Sequence, residues 1–200
     1  MNVVVAFNII EDGEQLPDGC NKSSGHLTFV VKMDFTGKAR CTKYGHHTAD
    51  PESSKYAGML SRESICILLT HAVLYGTDVM AADIRNAYLQ SLTSEKHYVI
   101  CDPEFGLKSL GKRALITRAL YRDKAAGMDF WYHLRSRMKH LGFHSSKADP
   151  DVCMRKSIRK DSRTLYYEYV LIYTDECLVI SDQPESILRK EIGEYFKLKE

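Results

Sequence analysis

The sequence predicts a mixed α+β fold, and three patterns support that prediction. Segments 61–75 and 125–141 combine helix-capping residues with apolar residues at helical spacing. Segment 164–181 contains two apolar runs separated by a polar turn, which is typical of a β-hairpin. Strands and helices alternate irregularly around this hairpin, which favours α+β over a regular parallel α/β sheet.

The first part of the chain is predicted to be rich in strands. Met1–Ile10 is apolar, contains many β-branched residues, and is followed by the turn signal Glu11-Asp12-Gly13. Alternating side chains in His26–Met33 predict a strand, and Asp34–Tyr44 predicts a second, basic strand. The last two segments together predict a basic two-stranded ribbon.

A helix is predicted after residue 60, and a strand follows it. Ser61 is a suitable N-cap, and Glu63 in the first turn complements the helix dipole. Gly76 suits the left-handed position just past the end of a helix. The short apolar run Val79–Ala82 then predicts a strand that ends at Asp83.

The clearest helix is predicted over Ala125–Leu141. Phe130, Leu134, Met138 and Leu141 recur at intervals of four, four and three residues, the spacing of one apolar helical face. Gly142 would end the helix.

The C-terminal part is predicted to contain a hairpin and a last helix. Leu171–Thr174 and Cys177–Ile180 flank the acidic turn Asp175-Glu176. Pro184 is suited to the first position of a helix, which would reach about Tyr195.

Length and composition exclude several classes of protein. A chain of 200 residues predicts one domain or two closely packed subdomains. With 44% hydrophobic and 27% charged residues, the chain can bury a core and is not globally disordered. Its 28 Lys and Arg residues nearly balance its 26 Asp and Glu residues, which argues against a simple polybasic nucleic-acid binder.

Positive charge is concentrated between Leu107 and Phe143. This basic segment has nine Lys and Arg residues against two acids, a local net charge of +7, so the remaining residues sum to −5. Such a segment could follow a phosphate backbone. A solvated helix face is the simpler interpretation, and the charge pattern alone favours it.

The cysteines and apolar stretches predict an intracellular protein that is neither secreted nor membrane-bound. None of the six cysteines forms a Cys-x-x-Cys pair, so a zinc ribbon or a dithiol redox motif is not expected. Met1–Ile10 lacks a basic start and a small-residue cleavage site. The most apolar stretch, Ile65–Tyr75, is too short to cross a membrane.

Two acidic sites lie at the ends of apolar strands, namely Asp83 and the pair Asp175-Glu176. An unpaired carboxylate is unfavourable in such a place, and two such sites brought together would suit divalent cations. Ordinary turn acids are the alternative, and the local pattern alone favours that alternative. Tyr88, five residues after Asp83, is either an aromatic that packs on a sugar or a core residue.

Six segments occur in an order that is known from one protein family. They are Val31–Arg40, Asp83–Leu89, Ala119–Lys124, Trp131, the pair Leu141–Phe143 with Ala148–Val152, and Tyr173–Glu176. Together they resemble the reverse transcriptase domain of copia-type LTR retrotransposon polyproteins. The resemblance covers roughly Ala6 to Glu200, and its specificity comes from the order of the segments.

The resemblance implies the fingers–palm architecture of right-hand polymerases, with an antiparallel palm sheet backed by helices. Residues of about 1–82 and 96–125 would belong mainly to the fingers subdomain, and residues 83–95 and 126–200 mainly to the palm subdomain. On this basis the chain would end before the thumb, and it would contain no RNase H or integrase domain.

The resemblance also implies an activity, RNA-directed DNA polymerisation by two-metal nucleotidyl transfer to a primer 3′-hydroxyl. The partners would be an RNA or DNA template with its primer, dNTPs, and other segments of a polyprotein. Two Mg²⁺ or Mn²⁺ ions would be held by the catalytic residues Asp83, Asp175 and Glu176.

Further roles follow from the same resemblance. Lys38, Arg40, Tyr88 and Lys124 would contact the incoming nucleotide. Tyr88 would lie beneath the deoxyribose and exclude a 2′-hydroxyl. Arg118, Arg122 and Tyr173 would contact the nucleic acid.

Three positions depart from the family pattern. Glu176 stands where the Tyr-x-Asp-Asp box has its second Asp, and Arg122 stands where the family has Gly. Tyr44–His47 replaces an expected run of small residues ending in Gly-His. We therefore expect a catalytically impaired copy. The alternatives are a non-catalytic nucleic-acid-binding remnant and an inert pseudogene product.

Overall fold

In a computed structural model of the protein, residues 5–31, 33, 35–44 and 58–199 are described, apart from the side chains of Leu27 and Lys38. Three sequence-based predictions fall partly outside these residues. They concern the first four residues of the N-terminal strand, positions 32 and 34 of the basic ribbon, and the segment 45–47.

The chain divides into two compact units, each built from two separate stretches of sequence. The first comprises Met1–Tyr56 and Tyr88–Phe130, and the second comprises Ala57–Ala87 and Trp131–Glu200. The units meet at 56/57, 87/88 and 130/131, whereas the resemblance implies divisions near 82/83, 95/96 and 125/126.

The first unit contains two sheets. Its strands are β1 (Phe7–Ile10), β2 (Asn21–Lys22), β3 (Gly25–Val31), β4 (Gly37–Lys43), β6 (His97–Ile100) and β7 (Arg113–Ile116). A four-stranded sheet has the order β1-β7-β6-β2, in which only the β2–β6 pair is parallel. Strands β3 and β4 form a separate antiparallel ribbon, as their alternating sequence predicts.

The second unit contains one five-stranded sheet. Its strands are β5 (Asp78–Asp83), β8 (His144–Ser145), β9 (Val152–Ile158), β10 (Leu165–Tyr173) and β11 (Glu176–Ser181). The order is β5-β11-β10-β9-β8, and every neighbouring pair is antiparallel. The predicted hairpin is confirmed as β10–β11, and the predicted strand ending at Asp83 is confirmed as β5.

Helix α1 (Arg62–Tyr75) covers this sheet and has the predicted caps. The Ser61 side chain accepts a hydrogen bond from the Ser64 amide at 3.1 Å, and Gly76 has a left-handed φ of 61°. The structure also shows a second acceptor at this end of the helix, which was not predicted. Asp149 Oδ2 accepts hydrogen bonds from the Ser61 amide and the Ser64 hydroxyl. The buried cluster between helix and sheet consists of Leu60, Leu68, Ala72, Val152, Leu171 and Ile180.

Helix α3 (Ala126–His140) buries the predicted apolar face. Phe130, Leu134 and Met138 are each at most 2% exposed, which confirms their helical periodicity, whereas Leu141 lies just beyond the helix and is half-buried. Gly142 has a φ of 84° and ends the helix in the expected conformation. The shorter helix α2 (Ala87–Gln90) was not predicted.

The last helix is less regular than its sequence predicts. It consists of α4 (Pro184–Ser186), a π-helical stretch (Ile187–Ile192) and α5 (Gly193–Tyr195). Within the part of the chain that the structure describes, no helix has the length and apolar character needed to cross a bilayer.

Candidate functional site

The hairpin between β10 and β11 carries the predicted acidic turn. Tyr173 pairs with Glu176, so the turn itself consists of Thr174 and Asp175. Thr174 has a φ of 54°, a left-handed conformation that is unfavourable for a β-branched residue by about 1–2 kcal/mol. Such strain is often found at functional turns, and here it lies between Tyr173, which is 46% exposed, and the two acids.

The sheet brings the second acidic site next to this turn. In the antiparallel pairing of β5 with β11, Glu176 is the partner of Asp83. The Ile84 amide also donates a hydrogen bond of 2.7 Å to the Asp175 carbonyl, which extends the pairing into the turn. Directly paired residues on an antiparallel sheet have Cβ atoms about 5 Å apart. Two acidic sites that are distant in sequence are therefore neighbours in the second unit.

Only one of the two carboxylate oxygens of Asp83 has a partner among the described residues. Its Oδ1 atom is buried and has no hydrogen-bond partner within the described ranges, while its Oδ2 atom contacts the ammonium of Lys199. A buried carboxylate oxygen without a partner is unfavourable by roughly 1–3 kcal/mol. A cation that reached Oδ1 would remove this penalty.

The thiol of Cys177 lies beneath the acidic turn and is fully buried. Burial, followed by the charges of Cys153, Asp175 and Asp83, raises the pKa of the Cys177 thiol to about 12. The thiol is therefore neutral and does not compete as a thiolate ligand.

These groups could supply part of the ligand set of a divalent cation, and a substrate would supply the remaining ligands. Among residues 5–31, 33, 35–44 and 58–199, no three or more His, Cys, Asp and Glu side chains converge as a ready-made metal cage. Mg²⁺ rarely uses such a cage, because it commonly binds through one or two carboxylates together with substrate phosphates and water. The unpartnered Oδ1 of Asp83 and the adjacent acidic turn offer that kind of incomplete site.

The residues expected to contact the nucleotide lie in the first unit. Arg40 is exposed on β4, and its guanidinium lies over the ring of Tyr121, 5.4 Å from the centroid. The ring of Tyr88 is 5.2 Å from the same Tyr121 ring and 6.1 Å from Phe130. Lys38 lies on the same strand as Arg40, but its side chain is outside the description. Tyr121 thus joins Arg40 to Tyr88, a role that its position in Ala119–Lys124 did not predict.

The segment after Tyr121 is held by a buried ion pair that sequence reasoning missed. Lys43 Nζ lies 2.9 Å from Asp123 Oδ2 and 3.0 Å from His97 Nδ1, and the Lys43 side chain is 1% exposed. Burial, followed by the charge of Lys43, lowers the pKa of His97, which favours a neutral ring whose Nδ1 accepts a hydrogen bond from Lys43 Nζ. The Lys43 amide also donates to the Tyr121 carbonyl at 3.0 Å, which ties β4 to this segment.

The remaining candidate residues differ in their settings. Arg122 is exposed and has a φ of 64°, a left-handed backbone conformation that favours glycine. Arg118 donates to the Gln90 carbonyl at 3.3 Å, and its Nε atom is buried without a partner within the described ranges. Lys124 is half-buried.

Comparisons with known proteins do not identify the chain. No protein-family model matches the sequence, and a search of curated proteins returned no significant relative. The interpretation of this site therefore depends on the geometry of the residues described above.

Proposed function

We propose that this chain is a retrotransposon-derived reverse transcriptase domain of the fingers–palm type with impaired polymerase activity. The observation that carries the proposal is the pairing of Glu176 with Asp83 at the strained hairpin Tyr173–Glu176. A carboxylate at the end of one strand lies beside an acidic turn on its antiparallel neighbour, and neighbouring carboxylates of this kind support a function in two-metal phosphoryl transfer.

The proposal assigns metal-binding and nucleotide-binding roles to separate groups of residues. In the second unit, Asp83 and Asp175 would bind the divalent cations, with Glu176 as a third carboxylate. When bound, these cations would neutralise phosphate charge and favour attack by the primer 3′-oxygen. In the first unit, Arg40 would bind the triphosphate, and Tyr88, supported by Tyr121, would pack on the sugar.

The impairment follows from two residues. Glu176 places its carboxylate one methylene farther from the backbone than Asp would, and a misplacement of about 1 Å can reduce a rate by about 100-fold. Lys199 contacts Asp83 and would have to yield to a cation. The first effect would slow the reaction and the second would weaken cation binding, but both leave the candidate carboxylates in place.

Primer extension tests this function directly. The assay measures incorporation of dTTP on poly(rA)/oligo(dT) with Mg²⁺ or Mn²⁺, and compares the native chain with Asp83→Asn and Asp175→Asn. We expect slow incorporation by the native chain and none by either variant. Asp161→Asn, which neutralises an exposed acid next to Ser162, is the matched control. Incorporation that persists unchanged in Asp83→Asn contradicts the proposal.

A non-catalytic nucleic-acid-binding role is the second candidate. Lys108, Arg113, Arg122 and Lys139 of the basic segment are exposed, although Lys112 pairs with Glu11 and Arg135 with Asp151. Binding to an RNA–DNA hybrid should then weaken steeply with salt, with a logarithmic slope near the number of phosphates contacted. A flat salt dependence would exclude this role.

A further inference from the structure

The first unit contains a cavity that plays no part in the proposed polymerase site. Its volume is about 430 Å³, which is within the range of small-molecule sites. The apolar wall is formed by Phe7, Val99, Phe105, Ile116 and Leu120. The rings of Phe7 and Phe105 meet edge to face with their centroids 5.1 Å apart, so the wall is partly aromatic.

One polar side chain in the cavity wall has no partner. Ser23 lines the cavity and is 6% exposed, and its buried Oγ atom forms no hydrogen bond within the described part of the chain. An unsatisfied buried hydroxyl is unfavourable, and most such groups in native proteins bind a partner. A ligand that donates a hydrogen bond to this oxygen would satisfy it.

The charges around the cavity have a net negative sign. Asp102 and Glu104 line the cavity, are exposed, and form no ion pair with any described residue. Among the described Lys and Arg side chains that line the cavity, Lys43 is neutralised by Asp123, so Lys22 alone opposes these two acids.

The influence of Glu104 reaches the cavity wall. Burial, followed by the charge of Glu104, raises the pKa of the Cys41 thiol, and Cys41 also lines the cavity. The raised pKa favours the neutral thiol, which adds no charge of its own at the cavity.

We propose that this cavity binds a small organic cation, an amine carried on an apolar body. The apolar wall would bury the body of the ligand. The ammonium would be attracted by Asp102 and Glu104 and by the aromatic faces. It would also donate a hydrogen bond to Ser23 Oγ. The site uses none of the candidate metal or nucleotide residues, so it stands or fails independently of the polymerase proposal.

Three probes with one body and different charges test the inference. They are 4-phenylbutylamine, 4-phenylbutanol and 4-phenylbutanoate, each titrated into the full chain and followed by nuclear magnetic resonance. We expect the amine to bind about three- to tenfold more tightly than the alcohol, because two exposed acids each contribute a modest attraction. The carboxylate should bind most weakly, and added salt should reduce the preference.

Two variants locate the binding. Asp102→Asn combined with Glu104→Gln changes only exposed residues, and it should reduce amine affinity to that of the alcohol. Asp18→Asn, an exposed acid of the same unit outside the cavity, should leave the affinity unchanged. Equal affinity for all three probes, no binding of the amine, or amine binding that survives the double substitution would each overturn the inference.

Discussion

The ammonium of Lys199 lies against the carboxylate of Asp83, and the same two residues are also joined through their backbones. The Lys199 amide donates to the Asp83 carbonyl at 2.8 Å, and the Arg85 amide donates to the Lys197 carbonyl at 2.8 Å. Leu198 forms an antiparallel bridge with Ile84 between these bonds. The segment thus continues the sheet beside β5 and places a protein cation at the carboxylate proposed to bind Mg²⁺.

Removing this protein cation should strengthen binding of a metal ion. In Lys199→Ala, Asp83 loses a competitor, so Mn²⁺ affinity should rise by about two- to fivefold, the effect of one partly exposed ion pair. Electron paramagnetic resonance of free Mn²⁺ measures this affinity. Lys190→Ala removes an exposed charge elsewhere in the same unit and should have little effect. Equal affinities in both variants would show that Lys199 does not compete.

Shortening the side chain at position 176 should improve activity. Glu176→Asp withdraws the carboxylate by one methylene and restores the family pattern at the turn. Incorporation in the primer-extension assay should rise by about 10- to 100-fold, because small errors in carboxylate position are costly. Glu176→Gln keeps the length of the side chain but removes its charge, and it should not raise incorporation. A Glu176→Asp variant no faster than the native chain would show that position 176 does not limit the rate.

Replacing Arg122 should stabilise the first unit. Its φ of 64° is unfavourable for a side chain with a Cβ atom, whereas glycine adopts it freely. The relief of backbone strain exceeds the extra conformational entropy that glycine loses on folding. Arg122→Gly should therefore raise the free energy of unfolding, measured in urea, by roughly 0.5–1 kcal/mol. Arg113→Gly, on strand β7, should lower it instead. A decrease for both variants would contradict the backbone assignment at Arg122.

The buried pair of Lys43 and Asp123 should make stability depend on pH through His97. Burial lowers the pKa of His97 in the folded state from its usual 6.5, so the unfolded chain binds the proton more readily. The associated stability is complete above pH 6.5 and is lost as the pH falls from 6.5 through the lowered pKa.

Urea unfolding from neutral to mildly acidic pH measures this contribution. His97→Gln keeps an acceptor for Lys43 but cannot bind the proton, so the free energy of unfolding should fall less steeply with acid. His144→Gln, at an exposed histidine, should preserve the native slope. An unchanged slope in His97→Gln would exclude His97 as the source.

Local sequence signals predicted the elements whose ends are fixed by short-range chemistry. Ser61 and Gly76 predicted the limits of α1, because capping depends on a few neighbouring atoms. The acidic turn predicted the β10–β11 hairpin, since apolar runs on either side of a polar turn need little else to pair. These elements place the acidic turn of the candidate site.

Features that depend on distant residues were not predicted. The pairing of Lys43 with Asp123 joins two parts of the chain that are far apart in sequence, and no local pattern indicates it. Strands β7 and β9 were also missed, because their identity depends on the strands beside them. The contact of Lys199 with Asp83 likewise depends on the tertiary fold, which places the segment around Leu198 beside the end of β5.

Terbium luminescence tests the central claim that Asp83 and the acidic turn form one cation site. Tyr173 adjoins the turn and can transfer excitation to bound Tb³⁺. The native chain should show a saturable signal that Mg²⁺ reverses. Asp83→Asn should abolish this signal, and Asp78→Asn, at the opposite end of β5, should retain it. An identical signal in Asp83→Asn and the native chain would contradict the account.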